Sequence, residues 1–216
     1  MSSSVKEGVC HIVGAGSFWK QAFQPQPGDY VIAADAGYRH LEEAGCQPDL
    51  VLGDFDSLGK APDHPHVLRL PVEKDDTDTL HAVKVGMELG YRRFLLHGAL
   101  GGPRLDHTLA NLQTLVYLTC QGCKGWILGP EDTVVTALHN GRLTFPAERR
   151  GILSVFCMGD RAEGVTLTGL KYPLENAVLT CDVPLGVSNE FTGVPASIEV
   201  KKGSLLILWH DPEFQI

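Results

Sequence analysis

The sequence predicts an N-terminal α/β domain on a mainly parallel sheet with flanking helices, followed by a C-terminal all-β domain of sandwich type. Two observations predict the pairing. Over the first 130 residues short apolar runs alternate with helical patterns, as parallel α/β sheets require; beyond them the helical period disappears and short alternating strands follow one another between Gly, Pro and Asn turns. A third observation sets the scale: 216 residues, 44% hydrophobic and 20% charged, is a globular composition able to bury roughly 70% of the unfolded surface.

The N-terminal strands are read from VCHIVG, YVIAA, DLVLG, HVLRL, RFLLHG and GWILG. Two helices stand out between them. Leu80, Val83 and Met87 recur at helical spacing after Asp76, and Leu105, Leu109, Leu112 and Val116 repeat the pattern, so both apolar stripes are expected to face the sheet. The later strands are TVVTALH, RLTFPA, ILSVFCM, AVLTCD, SIEV and LLILW, with SIEV-KKGS-LLILW reading as a hairpin. The expected division is residues 1–130 and 131–216, with the linker near Gly129 to Asp132.

Lys plus Arg number 18 and Asp plus Glu 26, a net charge of −8. That balance disfavours nonspecific attraction to nucleic acid or to an anionic membrane. No apolar run approaches the roughly 20 residues that span a bilayer, and the N-terminus lacks a basic, then long apolar, leader. A soluble, cytoplasmic protein is expected. The six cysteines are scattered and read as reduced thiols; Cys120 and Cys123 form a CxxC without the second pair that a structural zinc site needs.

The acidic residues carry the chemistry. Asp54 and Asp56 in GDFDS follow the apolar run DLVLG, at the carboxyl end of a strand, where α/β sheets bind ligands. If the chain stays extended there, both carboxylates share one side and Phe55 turns to the core. Lys74, Asp75, Asp76, Thr77 and Asp78 open the first marked helix, and Asp35 follows YVIAA. Helix capping accounts for Asp75 or Asp76 alone. For the whole set, carboxylates arriving from separate strand ends point instead to a divalent cation that neutralises them and binds phosphate oxygens.

The segment GALGGPRLDHTLAN at residues 98–111 follows another strand and enters the second helix. Its glycines allow close backbone approach, and a helix start offers N–H groups to an anion. Arg104, His107 and Asn111 form a polar stripe, read either as a solvated face or, for Arg104, as a phosphate clamp. The P-loop, GxGxxG and protein-kinase signatures are absent. Magnesium-dependent phosphate chemistry is what remains, with donor and acceptor open.

Six ordered motifs resemble the thiamine pyrophosphokinase family: AADAG (residues 33–37), GDFDS (53–57), KDDTD (74–78), GGPRLDH (101–107), TGLKYPL (168–174) and VSNEF (187–191). The resemblance implies a homodimer with sites between subunits, transferring diphosphate from ATP to the hydroxyl of thiamine and releasing AMP by in-line attack on the β-phosphorus. It implies magnesium on Asp54, Asp56 and Asp78, with Asp35, Lys74 and Asp75 nearby. Arg104, Asp106, His107 and Asn111 would lie on the ATP side, and Ser188, Asn189 and Phe191 on the thiamine side, Phe191 alternatively being a core aromatic. Two departures stand out: Pro103 lengthens the usual GGRxDH spacing, and Ala36 replaces a frequent Gly. A pyrophosphokinase for another N-heterocyclic alcohol such as a pterin, and a non-catalytic nucleotide sensor, are the alternatives.

Overall fold

Each apolar run of the N-terminal half forms a short strand that runs parallel to its neighbours. The computed structural model describes residues 5–56, 59–60, 62–73, 75–214 and 216; Ser57 and Lys74 of the expected site fall outside them. By internal contacts the chain divides into two units, 1–114 with 121–130, and 115–120 with 131–216.

In the first unit the strands are β1 (Cys10–Val13), β2 (Tyr30–Ala34), β3 (Leu50–Gly53), β4 (Val67–Arg69), β5 (Arg93–His97) and β6 (Lys124–Leu128). They lie in the order β6-β5-β1-β2-β3-β4, each pair parallel. Strand β1 is buried throughout, as the near-continuous apolar runs of a sheet covered on both faces should be. The chain steps from β1 to β2 on one side, while β5 and then β6 lie on the other. The carboxyl ends of β1 and β5 therefore flank the point where strand order reverses, the place where open α/β sheets hold ligands.

Among the described residues three α-helices connect these strands: α1 (Gly37–Ala44), α2 (Asp78–Glu88) and α3 (Leu105–Cys120). Helix α1 ends on Gly45 in the left-handed region, φ 72°, where glycine avoids the Cβ penalty. Helix α2 starts on Thr77, whose hydroxyl accepts the Leu80 amide at 3.2 Å, so Thr77 rather than Asp75 or Asp76 is the cap. The buried residues of α2 are Ala82, Val83 and Gly86, not the full Leu80–Val83–Met87 stripe. The reason is close approach: a Cβ on Gly86 would lie 2.7 Å from the Phe94 ring and 2.8 Å from Cys10 Sγ, so small residues form the contact line. Helix α3 departs further. Leu105 and Leu109 are 71% and 56% exposed, whereas Asn111, Thr114, Leu115 and Leu118 are buried. Asn111 Nδ2 donates to the Ala99 carbonyl at 2.8 Å and the Thr114 hydroxyl to that of Ala110 at 2.9 Å, which makes a partly polar face tolerable inside.

The second unit contains β7 (Thr133–His139), β8 (Arg142–Phe145), β9 (Ile152–Cys157), β10 (Arg161–Thr168), β11 (Leu174–Thr180), β12 (Gly186–Glu190), β13 (Ala196–Glu199) and β14 (Ser204–His210). Strands β12-β9-β14-β7 neighbour one another, and β11-β10-β13-β8 form a separate sheet; both are antiparallel. Phe145 on β8 meets Trp209 on β14 edge-on at 5.3 Å, joining the two layers. The expected hairpin is not formed, because β13 and β14 belong to different sheets. The crossing falls at Lys201–Gly203, where the amides of Lys201 and Lys202 both donate to the Glu163 carbonyl. Gly203 has φ 106°, and a Cβ there would lie 2.7 Å from the Arg161 carbonyl oxygen. Strand β10 escapes the alternation rule because Gly164, φ 68°, sits at a register shift, and a bulge reads in sequence as a turn.

Candidate active site

Strands β2 and β3 are neighbours in register, so the residues that follow them emerge side by side. Asp35 follows β2 and Asp54 follows β3. Asp35, Asp54 and Asp56 each bring a carboxylate oxygen within 4.8 Å of the others. The GDFDS turn is not extended: Phe55 has φ 63° and is 2% exposed, packed with Val13, Val31, Ala33, Leu41 and Val51. Burying that ring is what aims the flanking carboxylates outward, and the Asp56 amide donates to Asp54 Oδ1 at 3.1 Å. The turn after β2 resolves the Ala36 question similarly. Ala36 is right-handed helical at φ −65°, and the left-handed conformation falls on Asp35 itself, φ 47°, which aspartate tolerates better than most residues.

Gly53 completes the arrangement, though nothing in a strand-ending LVLG singles it out. Its φ is 151° and a Cβ there would lie 3.1 Å from Asp35 Cα, so a side chain would push the two acidic turns apart. The donor set is hard oxygen only, and Asp35 Oδ1 is buried with no hydrogen-bond partner among the described residues. Three converging carboxylates with one oxygen left unsatisfied fit a magnesium ion. Asp35 thus joins Asp54 and Asp56 in the cluster; Asp78, the first residue of α2, lies outside the group whose carboxylate oxygens come within 4.8 Å of one another. The signal was present in sequence: Asp35 follows its strand just as Asp54 follows the next.

The remaining acidic residues of the α2 approach are used otherwise or are solvated. Asp76 pairs with Lys84 at 2.6 Å, and Asp75 is exposed. Ahead of α3, Arg104 precedes the helix and forms a fork on Asp106, with Nη2 at 2.6 Å and Nε at 2.9 Å. That hydrogen bond holds the Asp106 carboxyl down at about 2 and raises the guanidinium. Arg104, Asp106 and His107 are all exposed, whereas Asn111 is buried and committed to Ala99. The polar stripe is therefore two kinds of residue, a solvent-facing start and an internal brace.

On the second unit Ser188 is exposed and left-handed, φ 58°, with its amide donating to Ser154 Oγ at 3.1 Å. Asn189 is buried and its amide brackets Tyr172, accepting from its N–H at 2.9 Å and donating to its carbonyl at 2.8 Å. Phe191 is 8% exposed and lies edge-on to Phe145 at 5.1 Å. Of the two readings of Phe191, burial and the Phe145 contact favour the core aromatic.

Fold and cluster together point to the phosphate-transfer class: three carboxylates converge at the carboxyl ends of a parallel sheet, in a chain that also carries an antiparallel β unit. Residues 24–127 match the model of the thiamin pyrophosphokinase catalytic domain, and residues 142–205 that of the thiamin pyrophosphokinase vitamin B1 binding domain. A thiamine pyrophosphokinase of Bacillus subtilis is 29% identical over 185 residues, covering 82% of this chain and 85% of the relative. The crystal structure of thiamine pyrophosphokinase from that organism superposes with a TM-score of 0.82 at 26% identity, over 94% of this chain and 99% of that one. The thiamin pyrophosphokinase structure from Geobacillus thermodenitrificans gives 0.78 at 28% identity, over 96% and 100%. The chain belongs to the thiamin pyrophosphokinase family, a family of diphosphotransferases. Matches to both domains weigh against the pterin-directed and sensor alternatives.

Proposed function

We propose that the protein transfers the β,γ-diphosphate of ATP to the hydroxyl of thiamine, giving thiamine diphosphate and AMP. The observation that carries this reading is the Asp35–Asp54–Asp56 cluster with its buried, unsatisfied oxygen, in a chain that matches both domains of the family. The three carboxylates would hold magnesium, which when bound neutralises charge on phosphate oxygens. The chain's own contribution is mainly to position the reactants. The glycine loops after β1 and β5 bring backbone close to a phosphate without side-chain obstruction, and the α3 start offers N–H groups. Arg104, exposed and reversibly paired with Asp106, is free to turn its fork toward a phosphate. On the acceptor side Ser188 presents a hydroxyl, while Asn189 acts through the Tyr172 backbone it holds. The proposed working form is a cytoplasmic homodimer in which each site draws on both subunits.

Mixing protein, Mg-ATP and thiamine and resolving the products tests the reading. AMP and thiamine diphosphate in equal amounts are expected. ADP with thiamine monophosphate as first products would make the protein an ordinary kinase.

A further inference from the structure

Beneath the reversal point of the parallel sheet lies a chain of two buried histidines and a half-buried aspartate for which the chemistry above has no use. Asp29 accepts the Val9 amide at 2.7 Å, the Gln26 amide at 2.8 Å and His11 Nε2 at 3.1 Å. Desolvation alone would raise its carboxyl, but the hydrogen bonds from Gln26, Val9 and His11 outweigh it and hold Asp29 ionised. His11 Nδ1 in turn lies 3.2 Å from His97 Nε2, with the ring planes within 8°. The imidazoles are 3% and 1% exposed.

The protons follow from the network. Ionised Asp29 only accepts, so His11 carries its proton on Nε2 and presents a bare Nδ1; His97 must then donate from Nε2. That assignment leaves His97 Nδ1 bare, and it is buried with no partner among the described residues. Phe23 stands edge-on to both imidazoles, at 5.7 and 5.2 Å. Phe18 links His97 to His40, whose Nε2 lies 2.9 Å from the Gly16 carbonyl oxygen.

Above this floor two glycine loops are fastened backbone to backbone. Gly14 N donates to the His97 carbonyl at 2.8 Å, Gly16 N to Gly98 at 2.7 Å and Ser17 N to Leu100 at 2.9 Å. A Cβ on Gly98 would lie 2.2 Å from the Gly14 oxygen, and one on Gly16 2.6 Å from that of Gly98. His97 thus holds the seam by its carbonyl and is itself held by its ring. Burying two imidazoles and half-burying a carboxylate costs stability that an apolar trio would not. What the polar chain adds is direction, since a hydrogen-bonded ring has one allowed orientation where a leucine has several.

We propose that the Asp29–His11–His97 chain is a positioning device for the phosphate donor: it fixes the seam between Gly14–Ser17 and Gly98–Leu100 against which the nucleotide is seated. This rests on the reading that the donor occupies the crevice at the carboxyl ends of β1 and β5. The three residues touch no reacting atom and act through the backbone they hold.

Two measurements separate the proposal from the reading beneath it. Hydrogen exchange of the wild-type chain with and without Mg-ATP is expected to show protection at Gly14–Ser17 and Gly98–Leu100. Protection by ATP elsewhere, but not there, overturns the donor site and the proposal together. With the seam protected, His97→Leu is expected to raise the KM for ATP about tenfold, leaving the KM for thiamine and kcat within about twofold. His97→Gln, which keeps a donor toward His11, should recover most of the loss. An unchanged KM for ATP in folded His97→Leu overturns the proposal while leaving the donor site standing. Should His97→Leu not fold, His11→Leu carries the same test: a raised KM for ATP with faster exchange at the seam supports the proposal, and wild-type values of both overturn it.

Discussion

Lowering the pH below 6.5 should destabilise this protein through His97. Burial is the first cause of its depressed pKa and the neighbouring His11 the second; together they carry the imidazole from the ordinary 6.5 down to about 3. The sign follows from linkage. The unfolded chain binds a proton near pH 6.5 that the folded chain refuses until about pH 3, so stability is complete above 6.5 and is lost progressively down to about 3. Each pH unit in that window costs about 1.4 kcal/mol for one such group. Between pH 7 and pH 5 the loss from His97 alone is about 2 kcal/mol, a sizeable part of ordinary domain stability. His11, also lowered by burial against the opposing pull of Asp29, adds in the same direction. The assay is denaturant unfolding at pH 7, 6 and 5, followed by hydrogen exchange at the amides of β1 and β5. His97→Leu serves as the reference because it has no proton to take up. Wild type should lose about 2 kcal/mol more than the variant over the two units. Parallel curves would refute the reasoning, since they would mean that His97 titrates normally in the folded state.

Three other perturbations follow from the site and the core. Asp56→Asn removes one anionic oxygen from the cluster at nearly constant shape, so turnover should fall by orders of magnitude with an unchanged circular dichroism spectrum; full activity at ordinary magnesium concentrations would take Asp56 out of the reaction. Gly53→Ala introduces a Cβ 3.1 Å from Asp35 Cα at φ 151°, so both Tm and manganese affinity in place of magnesium should drop, and wild-type titration curves would count against the close packing of the two acidic turns. Phe191→Ala should cost about 3–5 kcal/mol in the second unit, as for other buried aromatics, measured by calorimetry, while thiamine binding persists in the folded fraction. Loss of thiamine binding without loss of stability would return Phe191 to the ligand.

The sequence by itself determined the parallel strands of the first unit, most of the later strands though not β10 or β12, and the acidic strand ends, because these depend on local period and on residues that follow a strand directly. Asp35, Asp54 and Asp56 were legible for that reason: neighbouring parallel strands bring their carboxyl ends together whatever the connections between them. Only the tertiary structure decided which carboxylates converge, since Asp78 heads a helix and its distance from the cluster depends on how α2 packs. It also decided the buried face of α3. Periodicity counts apolar letters and chose Leu105 and Leu109, while the fold buries Asn111 and Thr114 because local carbonyls satisfy them. The separation of β13 from β14 into two sheets rests on Gly203 and the Glu163 carbonyl, a contact 38 to 39 positions distant in the chain from Lys201 and Lys202. His11 and His97 show the limit most plainly. Each reads as one polar letter in an apolar strand, and only the pairing of β1 with β5 puts the two rings in hydrogen-bond contact, because direction between side chains is a property of register and not of composition.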